Sequence, residues 1–243
     1  MAIDAAPVPR TGALLPFGGP QAQPRGHPPV KVGLVAPRYA VIDVETTGLE
    51  PGIDRIVECA IVELDGAGRV LDDWVSLVAI PGSEEPGASA IHGISRRMLS
   101  GAPTFPELIP ELVRRLAGRI LVGHVLAFDA GHLGAEFARA GMPLPDLVAD
   151  GVCTRDLARD HLPPGPRSLE ACCAAIGVAH HGAHSALGDA RATATLLRWF
   201  LIARRPPRAL RSTPPFGAPE WPGSDAAPAG PCGVCGLRLS PDR

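Results

Sequence analysis

Two carboxylates interrupt an otherwise apolar, strand-like segment and limit what that segment can pack against. Residues 39–45 read Tyr-Ala-Val-Ile-Asp-Val-Glu, and a Thr-Thr-Gly sequence follows at 46–48. A short β-branched run that is closed by a glycine turn is typical of a buried strand. Because side chains two positions apart on a strand point to the same face, Asp43 and Glu45 lie side by side near its carboxyl end.

The pair of Asp43 and Glu45 is costly in a buried strand unless a cation compensates it or one acid takes a proton. Oxygen ligands suit Mg²⁺ or Mn²⁺, so the pair favours a divalent-metal site. The alternative is a strand end that emerges into solvent, where both acids are hydrated. The turn at Thr46, Thr47 and Gly48 favours the metal site, because it brings backbone N–H groups beside the acids, where they can hold a substrate's sugar or phosphate oxygens.

The segments that follow carry first strand patterns and then helix patterns. Residues 56–64 and 70–80 are predicted to be strands joined by a hairpin-like linker at 65–68. Later elements are predicted from caps and apolar periodicity: a helix from the capping box of Thr104 and Glu107 to Gly118, a strand at 120–122, a helix with an apolar face from Ala130 to Ala140, a candidate strand at 147–153, and two helices capped by Ser168 and Ser185. This order predicts an α/β fold with a mixed sheet, an antiparallel meander plus parallel strands, flanked by helices.

The two ends of the chain differ in composition from its middle. Residues 1–37 are rich in Pro, Gly and Ala, and residues 203–243 add arginine to that composition. Both are predicted to be disordered tails around one domain at 38–202. Cys232 and Cys235 form a lone C-x-x-C pair, which is only half of a zinc site, so loose or intermolecularly paired thiols are expected there.

The composition of the whole chain bears on its binding partners and its cellular compartment. A formal net charge of −2 gives no overall attraction for polyanions, so nucleic-acid binding requires a local patch or bound metal. The six cysteines do not fit the frame of a short secreted protein. We expect neither a secretory signal nor a membrane span, because the first residues hold prolines and Asp4 in place of a basic start and an apolar run, and no apolar stretch reaches bilayer length. A cytoplasmic protein without a membrane partner is expected.

Several other polar or aromatic residues are ambiguous when each is taken alone. Asp129 lies where a helix begins, and an ordinary N-cap is the alternative to a functional role. Asp189 lies at the edge of the buried face of the last helix, where a carboxylate needs a partner. His184 precedes that helix and either faces a cleft, where it titrates near neutrality, or is a surface histidine. His124 and Phe128 fit the core and a pocket wall equally well.

Three motifs considered together are more specific than these residues are singly. They are D-V-E-T-T-G at 43–48, G-H-V-L-A-F-D at 123–129 and H-S-A-L-G-D-A at 184–190. In this order and with these intervals, the chain resembles the DEDDh branch of the DnaQ-like exonuclease superfamily, and within it the exonuclease domain of DNA polymerase III epsilon subunits. The resemblance covers about residues 38–202 and implies an RNase H-like fold.

The resemblance implies an enzyme that removes nucleotides from the 3′ end of a nucleic acid and releases 5′-mononucleotides. Asp43, Glu45, Asp129 and Asp189 would hold two divalent cations, Mg²⁺ or Mn²⁺. His184 would act as the general base that takes a proton from the attacking water. We expect single-stranded or frayed DNA as the substrate, with RNA as the second choice, and a DNA polymerase or clamp as a partner protein.

All but one of the expected substrate-binding residues lie within or beside the motifs, and His92 lies between the first two motifs: Thr46, Thr47, Gly48, Leu49, His92, His124 and Phe128. Leu49 resembles the residue that packs against the terminal base, and His92 opens an H-G-I segment that resembles a wall of the family's cleft. Val125 is a departure, because the family usually has asparagine after the second-motif histidine. An apolar group there replaces an amide that would hydrogen-bond in the cleft.

Two rival functions are compatible with the same residues. An RNA-trimming or oligoribonucleotide-degrading exonuclease would share the chemistry and differ in how its pocket treats the 2′-hydroxyl. A catalytically idle nucleic-acid-binding or polymerase-tethering module would keep the fold and lose turnover. Retention of all four acids and of His184 favours an enzyme, whereas Val125 is the argument for the idle module.

Overall fold

The computed structural model describes residues 38–82 and 86–203. The predicted tails at 1–37 and beyond residue 203 lie outside this range, and so does the pair of Cys232 and Cys235. None of the helices in the described part of the chain combines the length and apolarity that a membrane crossing requires.

The strands form one mixed sheet, as the sequence predicted. Strands β1 (Tyr39–Thr46), β2 (Ile56–Leu64) and β3 (Val70–Leu77) make an antiparallel meander, and β4 (Ile120–Gly123) and β5 (Val152–Cys153) pair in parallel on the other side of β1. The order among the described strands is β3-β2-β1-β4-β5. The strand that carries the acidic pair is therefore the central one.

Helices cover both faces of the sheet. In chain order, the described helices are α1 (Ser89–His92), α2 (Arg96–Leu99), α3 (Phe105–Leu116), α4 (Leu126–Arg139), α5 (Thr154–His161), α6 (Leu169–Ala175) and α7 (Ala186–Ala203). Tyr39 and Val41 of β1 point into a buried cluster with α5, α6 and α7, whereas Ala40 and Ile42 point into a second cluster with α3 and α4. By the same alternation, Asp43 and Glu45 lie on the α7 side of the sheet.

Some predicted elements have different bounds, for local reasons. The candidate strand at 147–153 is reduced to β5, because the Asp146 carboxylate accepts hydrogen bonds from Val148 N and Ala149 N and folds the segment into a turn. The third strand ends at Leu77 and not at residue 80. Helix α5 was not predicted, since charged residues hide its short buried face of Thr154, Leu157 and Ala158.

The predicted N-cap of α6 is present, and its contribution to stability can be tested. The Ser168 Oγ accepts a hydrogen bond from Ala171 N at 3.3 Å. Ser168→Ala should lower the free energy of unfolding by about 1 kcal/mol, because the amide loses its partner. Urea unfolding measures the change. Thr195→Ala, at an exposed position inside α7, is the control and should change it by less than about 0.5 kcal/mol.

Candidate active site

Three carboxylates converge on the α7 side of the sheet. Asp43 and Glu45 come from β1, and Asp189 comes from the first turn of α7. One oxygen from each of the three lies within 4.8 Å of the others. Oxygen donors at this spacing are the type of ligand set that hard divalent cations take.

Asp129 approaches the same strand from the opposite layer. It is the fourth residue of α4 and only 4% exposed, and its Oδ1 accepts a hydrogen bond from Val44 N at 3.3 Å. Val125 occupies the N-cap position, so the N-cap alternative for Asp129 is wrong. A side chain at Gly123 would place its Cβ 3.0 Å from Asp129 Oδ2, so this glycine at the end of β4 leaves room for the carboxylate.

Burial and mutual repulsion make Asp43, Glu45 and Asp129 hard to ionise. Burial, followed by the charges of Asp129 and Asp189, raises the pKa of Asp43 well above its usual value. Burial together with Asp189 and Glu58 raises the pKa of Glu45 to about 7. Burial raises the pKa of Asp129 to about 8 against the lowering effect of the Val44 N–H. A cation among the carboxylates would remove this penalty, so the donor set fits a divalent metal.

Glu58 is a fifth acid at the site, and the motifs did not point to it. It lies opposite Glu45 in the β1–β2 register, and its Oε2 accepts a hydrogen bond from Ala186 N at 2.8 Å. Burial raises the pKa of Glu58, while the Ala186 N–H lowers it. The sequence does show Glu58 as a charged residue inside the apolar strand 56–64. Its position opposite Glu45, however, depends on the register of the hairpin.

The two histidines before α7 are placed differently. His184 is exposed, with φ at +64°, and its side chain makes no hydrogen bond with the residues that the structure describes. His180 is nearly buried, and its Nε2 lies 2.6 Å from Asp189 Oδ1. The structure therefore brings the four predicted acids to one strand end and leaves His184 outside their hydrogen bonds. Its role as the base stays a prediction.

The turn after β1 is closed by its own side chains. Thr46 Oγ1 donates to Gly48 O at 2.6 Å, and Thr47 Oγ1 donates to Asp54 Oδ1 at 3.0 Å. A Cβ at Gly48 would lie 2.5 Å from the Asp54 carboxylate, which explains the glycine. Leu49 is 78% exposed at the tip. The threonine hydroxyls thus shape the loop, and Leu49 is the apolar group that it presents.

Helix α4 holds this loop by an ionic contact. Glu136, 2% exposed, accepts hydrogen bonds from Arg55 Nε at 2.6 Å and Nη2 at 3.0 Å. Arg139 Nη1 lies 3.3 Å from the same carboxylate, and its Nη2 donates to Pro51 O at 2.9 Å. The helix that carries Asp129 therefore also fixes the loop that carries Leu49.

The segment at 86–94, which ends in H-G-I, packs against the same loop through Gly87. His92 is buried, its Nδ1 accepts from Ile94 N at 3.0 Å, and its Nε2 lies 3.3 Å from Pro86 O. Burial lowers the pKa of His92. A Cβ at Gly87, where φ is +64°, would lie 1.7 Å from Thr47 O. Both ring nitrogens of His92 are thus used to shape the segment, whose close approach to the loop is at Gly87.

The second-motif side chains also pack within the domain. His124 is buried, with Nδ1 3.0 Å from Thr154 Oγ1 and Nε2 2.9 Å from Arg167 O. Burial lowers the pKa of His124. Because Arg167 O can only accept, Nε2 is the donor in that contact, and the Thr154 hydroxyl lies between His124 Nδ1 and Gly123 O, 3.3 Å away. Phe128 is half-buried, and its ring centroid lies 4.4 Å from that of His132.

A family model for the RNase T type of exonuclease matches residues 40–197, which is more than half of the chain. The chain belongs to this exonuclease family. The resemblance drawn from the three motifs is thereby confirmed, and the matched range contains every acid at the site.

Two bacterial relatives of the chain are DNA polymerase III proteins. The chain is 30% identical over 154 residues to the DNA polymerase III subunit epsilon of Treponema pallidum, covering 63% of this chain and 71% of that protein. It is 30% identical over 163 residues to the PolC-type DNA polymerase III of Clostridium perfringens, covering 66% of this chain and 11% of that protein. The chain thus spans about a tenth of the PolC-type relative.

Two solved structures share the fold at low identity. Escherichia coli exonuclease I in complex with a dA16 oligonucleotide superposes with a TM-score of 0.61 at 22% identity, over 72% of this chain and 42% of that one. The nuclease domain of 3′hExo, a DEDDh family member bound to rAMP, gives 0.59 at 17% identity, over 68% of this chain and 91% of that one. The predicted RNase H-like fold is therefore confirmed.

The raised pKa values of this exonuclease-family site give its stability a definite pH dependence. Unfolded carboxyls ionise near pH 4, whereas folded Glu45 and Asp129 ionise at about 7 and about 8. Between these values the folded chain binds more protons, so its stability falls as pH rises. In EDTA, the melting temperature should fall from about pH 5 to about pH 8, and Mg²⁺ should reduce or reverse the fall. A melting temperature that rises with pH in EDTA would contradict this.

Proposed function

We propose that the chain is a metal-dependent 3′-to-5′ exonuclease that acts on DNA and releases 5′-mononucleotides. The observation that carries the proposal is the convergence of Asp43, Glu45 and Asp189 within 4.8 Å, in a member of an exonuclease family. A structural ion-pair network does not account for them, because the described residues place no arginine or lysine against these acids and only His180 contacts one of them, Asp189.

The donor set supports two Mg²⁺ or Mn²⁺ ions held by Asp43, Glu45, Asp129 and Asp189. Four carboxylates bring about four negative charges, which two divalent cations would balance before a phosphate arrives. When bound, the cations would polarise the scissile phosphate and favour ionisation of water. Asp129 and Asp189 arrive from opposite layers of the sheet, so together they enclose the carboxyl end of β1.

His184 would supply the general base. A neutral imidazole nitrogen would take the proton of the attacking water, and a protonated ring would have no lone pair for it. Its exposed place on the segment that enters α7 gives it access to solvent water. Leu49 would pack against the terminal base at the tip of the loop, which favours attack at a free 3′ end.

DNA is the favoured substrate because the relatives above are DNA polymerase III proteins. The same relatives support a DNA polymerase or its clamp as a partner. The likeness to 3′hExo, bound to rAMP, supports RNA as the alternative substrate. The four cysteines of the described part of the chain are free thiols, which supports a reducing cytoplasm.

Removal of one acid tests the site directly. Asp43→Asn should lower cleavage of a 3′-labelled oligonucleotide by at least roughly 10²–10³-fold, because the central cation ligand loses its charge. Single-stranded DNA, mismatched duplex and RNA are each tested with Mg²⁺ and with Mn²⁺. Asp156→Asn, at an exposed acid of α5, is the matched control and should keep wild-type activity. An active Asp43→Asn protein would refute the proposed site, and faster cleavage of RNA would favour the alternative substrate.

An idle binding module is the second candidate function. Two observations favour it: Val125 replaces an amide, and His184 makes no hydrogen bond among the described residues. Such a module would hold the labelled 3′ end in the presence of metal without forming product. The oligonucleotide assay above distinguishes it from the exonuclease.

The base assignment has its own test. His184→Gln should lower kcat by roughly 10²–10⁴-fold, since the proton acceptor is lost. The affinity for Mn²⁺, measured by electron paramagnetic resonance, should stay near that of the wild type, because the four acids are unchanged. His181→Gln, at an exposed neighbour, is the control. A wild-type kcat in His184→Gln, or an unchanged acid limb of the pH profile, would show that another group takes the proton.

A further inference from the structure

Glu58 joins the acidic site to the helix that supplies Asp189. It projects from β2 toward the α7 layer, opposite Glu45, and its Oε2 accepts the hydrogen bond from Ala186 N at 2.8 Å. Ala186 is the first residue of α7 and is fully buried. The contact links residues 128 positions apart in the chain, so it is a tertiary contact and not a local cap.

The first turn of α7 depends on such contacts. Amides at the start of a helix have no partner inside the helix. Ser185 Oγ accepts from Gly188 N at 3.2 Å, and Ser185 O accepts from Asp189 N at 3.0 Å. These bonds, and the contact of Ser185 with Gly182, stay within the segment 182–189. Ala186 and Leu187 also pack in the apolar cluster between α7 and the sheet. Among the hydrogen bonds of the described residues, the bond to Glu58 is the one that joins residues 182–188 to the sheet.

The position of Asp189 follows from this attachment. Residues three apart in a helix lie on one side of it, so Asp189 lies one turn beyond Ala186 on the side that faces the sheet. A movement of the helix start away from β2 would carry the Asp189 carboxylate away from Asp43 and Glu45. His180, in the α6–α7 connection, contacts Asp189 and not the sheet strand that carries Glu58.

Glu58 itself is not part of the three-acid cluster. The oxygens that lie within 4.8 Å of one another come from Asp43, Glu45 and Asp189. One Glu58 oxygen is turned to the helix amide. Its geometry is that of a group that orients a ligand, as outer partners of metal sites do.

We propose that Glu58 is a positioning residue, which holds the start of α7 on β2 and so presents Asp189 to Asp43 and Glu45. The inference rests on the proposed function, since it assigns Glu58 a part in assembling that metal site. The hydrogen-bond acceptor is what matters in this role, and the charge is not.

Two substitutions of similar volume separate acceptor from charge. Glu58→Gln keeps an oxygen for the Ala186 N–H, whereas Glu58→Met keeps the volume and removes the acceptor. Glu58→Met should weaken Mn²⁺ binding about tenfold and lower kcat by roughly 10–100-fold. Its KM for a single-stranded oligonucleotide should stay within about twofold, because the loop with Leu49 is held by α4. Glu58→Gln should stay within about threefold of the wild type in both Mn²⁺ affinity and kcat.

Mn²⁺ binding to the full chain is measured by electron paramagnetic resonance, which needs no turnover, and circular dichroism establishes that each variant is folded. Glu170→Gln, an exposed acid of α6, is the control for loss of a charge. Equal losses in Glu58→Gln and Glu58→Met would overturn the proposal, because charge would then be the property that matters. Wild-type behaviour of Glu58→Met would overturn it as well. If Glu58→Met does not fold, a tenfold loss of Mn²⁺ affinity in Glu58→Gln overturns it and near-wild-type affinity supports it.

The failure of the proposed function is distinct from these results. It would appear in the wild type, as a chain that neither binds Mn²⁺ nor cleaves a 3′ end. A wild type that does both, beside an unaffected Glu58→Met, would remove only the role of Glu58.

Discussion

Repulsion among buried carboxylates at the carboxyl end of β1 is the constraint on which the rest of the site depends. The pKa values of Asp43, Glu45 and Asp129 are all raised, first by burial and then by one another or by Asp189. Without a counter-charge, the folded chain relieves this repulsion by taking up protons. The same free energy becomes available to any divalent cation that the acids bind, so the strain of the apo site favours the metal.

The fold builds this arrangement by bringing acids from separate layers to one strand. Asp129 belongs to α4 on one face of the sheet, and Asp189 belongs to α7 on the other. Neither helix contacts β1 at this point through apolar packing alone. The Val44 N–H holds Asp129, and Glu58 on the neighbouring strand holds the start of α7. The site is therefore complete only when both layers are docked on the sheet, and its geometry depends on tertiary structure.

This dependence explains which features could be predicted from the sequence. Alternation along a strand places Asp43 and Glu45 on one face, so their proximity was predictable. The cap at Ser168 was predictable as well, because its hydroxyl binds an amide only three residues away. The partners of buried polar groups were not. His92 and His124 fit a cleft wall by sequence, but each has both ring nitrogens engaged within the domain. The place of Glu58 at the acidic site was not predictable, because it depends on the β1–β2 register that sets Glu58 opposite Glu45.

Helix α4 joins the acidic site to the loop that presents Leu49. Asp129 lies in its first turn, and Glu136, two turns later, holds the loop that presents Leu49. The distance between the acids and the loop tip is therefore set largely by one rigid element. Val125 is the N-cap of this same helix. Under the proposed function, the amide contact that Val125 lacks would weaken the grip on substrate without moving Asp129 or the loop, so this departure would affect affinity more than the assembly of the acids.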